Sequence, residues 1–164
     1  LVMELLRGVT LQQHLDVTGK LSVPATLEIL EPVLSGLGHA HQQGVVHRDL
    51  KPDNIFLVRE PDGRVLPKIL DFGISQLRRP HLPRITGNGH SLGTPGYMSP
   101  EQARGSRDTD ARSDVFSVAI LLYECIAGVN PFAGDSYHAV VANVLEREPP
   151  PLDGIGEALQ RVLD

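Results

Sequence analysis

The stretch HRDLKPDN, His47–Asn54, places a histidine, an arginine, a lysine, a proline, an asparagine and two aspartates within eight residues. So dense a polar run is costly to fold unless its groups find partners or a ligand. The segment after it, IFLVREPDGRVLPKIL (Ile55–Leu70), reads as two short strands around Pro61-Asp62-Gly63, with Pro67 weakening the second. A hairpin returns the chain to its starting point. The octet and the DFG tripeptide, Asp71–Gly73, are therefore expected to meet.

The segments before the octet are helical in pattern. SVPATLEILEPVLSGLGHAHQQG starts with a good N-cap, Ser22, and carries Pro24 in its first turn. Leu27, Leu30, Leu34 and Leu37 recur at helical spacing, and Gly44 can close the helix. TLQQHLDVTG suits a shorter helix ended by Gly19, and Leu1–Leu6 reads as a strand end leading to a connector at Gly8. After the hairpin, Gly73–Ser99 is a long irregular segment rich in Gly, Pro, Ser and Arg, of the kind that is functional or disordered in compact domains. DVFSVAILLYECIAG, capped by Ser113 or Asp114, is apolar nearly all round and is expected to be the central buried helix. DSYHAVVANVLERE is a further amphipathic helix, broken by Pro149–Pro151. The fold class expected is mostly α with one small β hairpin (α+β).

Bulk properties narrow the function. A chain of 164 residues fits one domain. The net charge of -5 argues against a nucleic-acid or anionic-membrane binder. A single cysteine, Cys125, excludes an intrachain disulfide and suits a reducing, cytoplasmic setting. The longest apolar run, Val115–Gly128, is shorter than a bilayer requires and contains Glu124, so no membrane segment is expected within this chain, although an anchor outside it stays compatible with the sequence. Leu1 opens inside an apolar run and Asp164 falls inside a helix-like one, so the chain is expected to be an internal piece of a longer protein.

HRDLKPDN, then DFG a hairpin later, then GTPGYMSPE (Gly93–Glu101) at the end of the long segment, resembles the protein kinase family, specifically its bacterial-type serine/threonine members. The resemblance covers residues 1–164, from a hinge at Met3-Glu4-Leu5-Leu6 to the penultimate helices of the large, C-terminal lobe. It implies ATP-dependent phosphoryl transfer, with Mg2+, to serine or threonine hydroxyls of protein substrates. That chemistry asks for positioning and charge neutralisation more than covalent help. The resemblance implies Asp49 as the base that accepts or orients the hydroxyl proton, and Lys51 beside the transferring phosphate. Asn54 and Asp71 would be magnesium ligands, through hard oxygens suited to that ion. Met3 matches the gatekeeper, Glu4 and Leu6 would offer backbone groups to adenine, and Phe56 would lie beneath its ring.

Other positions match supporting roles. His47 would pack on Phe72, and Gly73 would free the backbone beside Asp71. Asp114 would brace the backbone of the octet. Glu101 matches a carboxylate that pairs with a late arginine, and no matching arginine occurs before Asp164. Arg48, preceding Asp49, reads either as a surface ion-pair partner or as a cation awaiting a phosphate, which it would bind through charge-assisted bonds. The hydroxyl candidates are Thr86, Ser91 and Thr94, with Thr94 matching a residue that bonds the base and the lysine. His39, His41, His81 and His90 do not form a metal-ligand pattern, and Arg78, Arg79 and Arg84 read as a solvated basic loop.

The family's small lobe, with its glycine-rich loop, strand lysine and helix glutamate, has no counterpart in these residues and is expected upstream in the same protein. Without it the upper face of adenine stays open. Losing about 100 Å² of apolar burial at about 25 cal/mol per Å² costs about 2.5 kcal/mol, more than tenfold in affinity. These residues alone are therefore expected to be inactive, with an exposed apolar upper face. The alternative is a non-catalytic module that uses a kinase-like lobe as an interaction surface. A scaffold has no need of Asp49, Lys51, Asn54 and Asp71 together.

Overall fold

The computed structural model describes residues 4–72, 95–106, 109–152, 155–156 and 159–160. Met3, Gly73, Arg78, Arg79, His81, Arg84, Thr86, His90, Ser91 and Thr94 lie outside them. The elements in order are β1 (Gly8–Thr10), α1 (Leu11–Thr18), α2 (Val23–Gln42), β2 (Ile55–Arg59), β3 (Val65–Ile69), α3 (Pro100–Ala103), α4 (Ala111–Ala127) and α5 (Tyr137–Glu146), with single 3-10 turns at Pro52–Asn54 and Pro95–Tyr97.

The expected hairpin is part of a three-stranded antiparallel sheet in the order β1-β2-β3. Of the strand expected over Leu1–Leu6, residues 1–3 lie outside the described residues and residues 4–6 are not in a strand; β1 lies at Gly8–Thr10, where it pairs with β2 in the register Gly8↔Val58 to Thr10↔Phe56. Gly8 makes this pairing achievable: its φ is +156°, and a Cβ there would stand 1.9 Å from the Leu57 carbonyl oxygen. Only glycine fits such a contact. The β2–β3 ladder runs from Ile55↔Ile69 to Arg59↔Val65. The Leu70 amide donates to Asn54 at 2.8 Å and the Glu60 amide to Arg64 at 2.9 Å. Leu57 and Pro67 thus form a pair whose backbone groups point away from each other, on an edge strand. The missing N–H of Pro67 costs no ladder bond there.

Both N-terminal helices are capped as their sequences require. Thr10 and Gln13 form a reciprocal capping box at α1, and Ser22 accepts from Ala25 at α2, with proline in the first turn. The buried face of α2 is Thr26, Ile29, Leu30, Val33 and Leu37, while Leu34 turns outward. The leucine spacing alone missed Ile29 and Val33, which complete the apolar stripe. The cap of α4 also differs from expectation. Asp110 is the N-cap, accepting from the Arg112 amide, and both Ser113 and Asp114 lie within the helix and are fully buried.

Helix α4 is central, with Val118, Ile120, Leu121, Leu122 and Cys125 in the core beside Leu30, Val33 and Leu37 of α2 and Leu50 and Ile55 around the octet. Burying each such leucine or isoleucine contributes roughly 1.5–3 kcal/mol before entropy is counted. Gly128 ends α4 in the left-handed conformation, and the Leu21 amide donates to the Cys125 carbonyl at 2.6 Å. That bond satisfies one of the orphan carbonyls of the last turn and pins the α1–α2 connection to α4. Among the described residues no helix is long and apolar enough to cross a membrane.

Candidate active site

The octet lies on the core rather than in solvent, because its own backbone is held from below. His47 and Asp114 are fully buried. Asp114 Oδ2 accepts from the His47 amide at 2.8 Å, and Oδ1 accepts from the Arg48 amide at 2.8 Å. Its Oδ2 also meets His41 Nε2 at 2.7 Å. One carboxylate from the first turns of α4 thus gathers two successive amides of the octet and the last turn of α2. This arrangement explains why a carboxylate at that position is buried: each oxygen has a donor.

The gathered amides impose a sharp turn. Arg48 has φ +65° and Asp71 has φ +59°, the two non-glycine residues with positive φ among the described residues. Each such conformation costs about 1–3 kcal/mol and persists only where neighbours over-determine it. Around Arg48 those neighbours are Asp114 at its amide and Gln102, whose Nε2 donates to the Arg48 carbonyl at 2.7 Å. Around Asp71 they include His47, whose Nε2 bonds the Leu70 carbonyl at 2.8 Å, and whose ring meets Phe72 edge-on at 5.0 Å.

The turn presents Asp49 outward, with its side chain 57% exposed. Two partners converge on it. Lys51 Nζ lies 3.5 Å from Oδ2. Asn54 Nδ2 donates to the Asp49 carbonyl at 2.7 Å and approaches its Oδ2 at 3.4 Å. The hairpin register then returns the chain to Asn54, where the Leu70 amide is bonded, so Asp71 follows directly beside the octet. Asp49, Lys51, Asn54 and Asp71 are therefore one neighbourhood.

The donor set fits a magnesium ion shared with a phosphorylated ligand. Asn54 commits its Nδ2 to Asp49, which leaves its amide oxygen for another partner, and Asp71 adds a carboxylate. Among the described residues no group of three or more His, Cys, Asp or Glu could hold a metal by itself. Magnesium is commonly held by one or two carboxylates plus substrate phosphates, so a small set of hard oxygens suits it. Of the residues matched to adenine contacts, Glu4 is tied through Oε2 to Lys68 Nζ on β3 at 2.6 Å, and Phe56 is half-buried on β2 between Thr10 and Lys68 in register.

Glu101 has a local partner among the described residues: its Oε1 accepts from Ser113 Oγ at 2.6 Å. Partial burial pushes the carboxyl up, but the bonds from Ser113, its backbone and Ser99 outweigh that and hold it below the ordinary glutamate value. Such a group contributes stability above the unfolded pKa that is lost as pH falls through the folded one.

Four contributors were not legible as site residues: His41, Gln102, Tyr97 and Glu124. The Pro95–Tyr97 turn is clamped onto α4 by Ser117 Oγ, which donates to the Tyr97 carbonyl at 2.8 Å, and by Glu124 Oε2, which accepts from the Tyr97 hydroxyl at 2.5 Å. Asn130 Nδ2 adds a bond to the Gly96 carbonyl at 3.3 Å. Burial raises the Glu124 carboxyl above its ordinary value, against the Tyr97 bond and with the help of the Asp53 charge. Burial and Glu124 together hold the Tyr97 phenol far above its own. A raised carboxyl favours the fold fully below its unfolded pKa of about 4.3, and that contribution is lost as pH rises through the folded value. Glu124→Gln keeps an acceptor for Tyr97 and removes the buried charge. Its melting temperature is expected to equal or exceed the parent's at pH 7.5, with the difference shrinking toward pH 4. Thermal melts across that range check this, and a lower value at pH 7.5 would refute it.

Residues 1–153 match the model of the family described as "Protein kinase domain". The chain is 44% identical over 150 residues to the serine/threonine-protein kinase PknL of Mycobacterium tuberculosis (strain ATCC 25618 / H37Rv), covering 92% of this chain and 36% of that protein. It is 38% identical over 164 residues to the serine/threonine-protein kinase Pkn1 of Myxococcus xanthus, covering 100% of this chain and 23% of that protein. A third relative, the serine/threonine-protein kinase PknA of Mycobacterium bovis (strain ATCC BAA-935 / AF2122/97), is 42% identical over 152 residues, covering 93% of this chain and 34% of that protein. The chain spans about a third or less of the length of these relatives.

Proposed function

The chain belongs to the protein kinase family, and from that premise we propose that it is the large-lobe part of a serine/threonine protein kinase that acts within a longer, cytoplasmic protein. The observation that carries this reading is the convergence of Lys51 and Asn54 on Asp49, with Asp71 returned beside them by the hairpin. Asp49 orients a serine or threonine hydroxyl and takes up its proton. Lys51 neutralises charge on the phosphoryl group in transfer. Asn54 and Asp71 hold magnesium with the ATP phosphates, and the ion supplies neutralisation of charge on the transferring group. Glu4 and Leu6 bound the adenine edge through their backbone, and Phe56 supports the ring. The small lobe, elsewhere in the same protein, covers ATP from above. Leu5, 85% exposed, and Val65 and Leu66 on the edge strand are apolar surface suited to that cover.

The test compares two forms. The intact protein with Mg2+ and ATP is expected to phosphorylate a serine- or threonine-containing protein substrate. The 164-residue chain alone is expected to bind Mg2+-ATP more weakly than micromolar by calorimetry. An intact protein that transfers no phosphate, with its small-lobe residues in place, would favour the scaffold reading.

Arg48 carries a regulatory proposal. Its Nη2 donates to the Thr109 carbonyl at 3.2 Å, but its buried Nε has no hydrogen-bond partner among the described residues. A buried donor left unmade is costly, and a phosphate on Thr86 or Ser91 would satisfy it with charge-assisted bonds. Phosphopeptide mapping of the active intact protein is expected to find a phosphate between residues 73 and 94; an active protein without one overturns the assignment.

A further inference from the structure

We propose that Gln102 is a positioning residue for Asp49, acting through the peptide group that joins Arg48 to Asp49; the inference rests on the catalytic reading of Asp49 given above. That peptide is held at both ends. Its carbonyl, belonging to Arg48, accepts from Gln102 Nε2 at 2.7 Å. Its amide, belonging to Asp49, meets His47 Nδ1 at 3.3 Å. The peptide is directly attached to the Cα of Asp49, so its plane decides where the carboxylate points. The backbone at Arg48 is left-handed, a conformation an arginine does not hold unaided. Asp114 fixes the amide entering that residue, and Gln102 fixes the carbonyl leaving it.

The orientation of the Gln102 amide follows from its partners. Oε1 accepts from the Ser99 amide at 3.0 Å, an N–H, and Nε2 donates to the Arg48 carbonyl, a C=O. Neither partner can exchange roles, so a single amide orientation satisfies both. Gln102 therefore joins two functions in one side chain. Its oxygen closes the capping box at the start of α3, and its nitrogen reaches across to the octet. The Pro95–Ala103 segment, clamped to α4 through Tyr97, is thereby coupled to the aim of the base.

The two functions separate by substitution. Gln102→Glu keeps an acceptor for the Ser99 amide, because glutamate serves the capping box as well as glutamine does. It cannot donate to the Arg48 carbonyl while ionised. Gln102→Met keeps the length, removes the donor and adds no charge. In the intact protein, both variants are expected to lower kcat by at least about tenfold, the scale of loss for a misplaced catalytic group. KM for ATP and for the protein substrate is expected to stay within about twofold, since the lost interaction is not one of substrate binding. For Gln102→Glu the melting temperature is expected to fall by about 2–4 °C, as the loss of one hydrogen bond of about 1 kcal/mol would produce. Combined with Asp49→Asn, either variant is expected to cause no further loss of kcat, because the group being aimed is already gone.

A kcat within about twofold of the parent for Gln102→Met overturns the proposal even if Gln102→Glu fails to fold. A full further loss in the Asp49→Asn background overturns it as well, since that result marks a purely structural role. The parallel Asp49→Asn arm separates the two readings. If that variant turns over as the parent does, the assignment of Asp49 fails first. If it is dead while both Gln102 variants are active, only the Gln102 inference falls.

Discussion

Asp49→Asn in the intact protein is expected to cut kcat by about 10²–10⁴-fold, the range for loss of a general base, with the fold unchanged. The asymmetry follows from where Asp49 sits. Its side chain is 57% exposed, and the partners of its carboxylate are Lys51 at 3.5 Å and Asn54 at 3.4 Å, both long contacts. An exposed ion pair of this kind contributes about 0–1 kcal/mol to stability. Asparagine has the same shape and keeps an oxygen toward both neighbours, but it cannot take up a proton from a hydroxyl. The melting temperature is expected to move by no more than about 2–4 °C, as a loss of about 1 kcal/mol would produce. Single-turnover phosphoryl transfer alongside a thermal melt checks both halves. Turnover near the parent's would remove Asp49 from the mechanism, and a collapse of the fold would mean that its role is structural.

Asp114→Ala is expected to do the opposite, damaging stability first. Asp114 is fully buried and serves the His47 amide, the Arg48 amide and His41 Nε2, all within 2.8 Å. Alanine would leave two backbone donors and a half-buried histidine unmet in the core, together with a void. Breaking a buried charged cluster on one side costs roughly 3–5 kcal/mol. In a domain of this size that lowers the melting temperature by on the order of 10 °C. Activity falls with it, because the amide of the left-handed residue before Asp49 loses its anchor. Asp114→Asn is expected to be intermediate, since the amide offers one acceptor oxygen and sets its NH₂ against a backbone N–H. A melting temperature for Asp114→Ala within about 2 °C of the parent would show that the network contributes little.

The two substitutions also separate what was legible from what was not. The octet, the hairpin turn, DFG and the helix cap Ser22 are local signals. Each depends on residues a few positions apart, so spacing and turn chemistry expose them. The cap of α4 was misassigned for a local reason too: Asp110, Ser113 and Asp114 are all good cap residues, and burial rather than type selects among them. The third strand was missed because three residues at Gly8–Thr10 carry too little pattern to compete with the apolar run before them.

The sequence by itself determined the groups on offer: two carboxylates, an ammonium and a side-chain amide, in an order that a hairpin can close. Their neighbourhood was also readable, since a two-stranded return has only one outcome. Tertiary structure alone decided how the backbone before Asp49 is held. His41 meets Asp114 across 73 positions, Arg48 meets it across 66, Gln102 reaches Arg48 across 54, and Tyr97 finds Glu124 across 27. No periodicity links such pairs, because each is set by the packing of α4 against α2 and of α3 against the octet. The physical reason is that a left-handed arginine is unfavourable on its own. Only partners brought from distant elements, each supplying the acceptor or donor its backbone lacks, hold it in place and so orient the aspartate that follows.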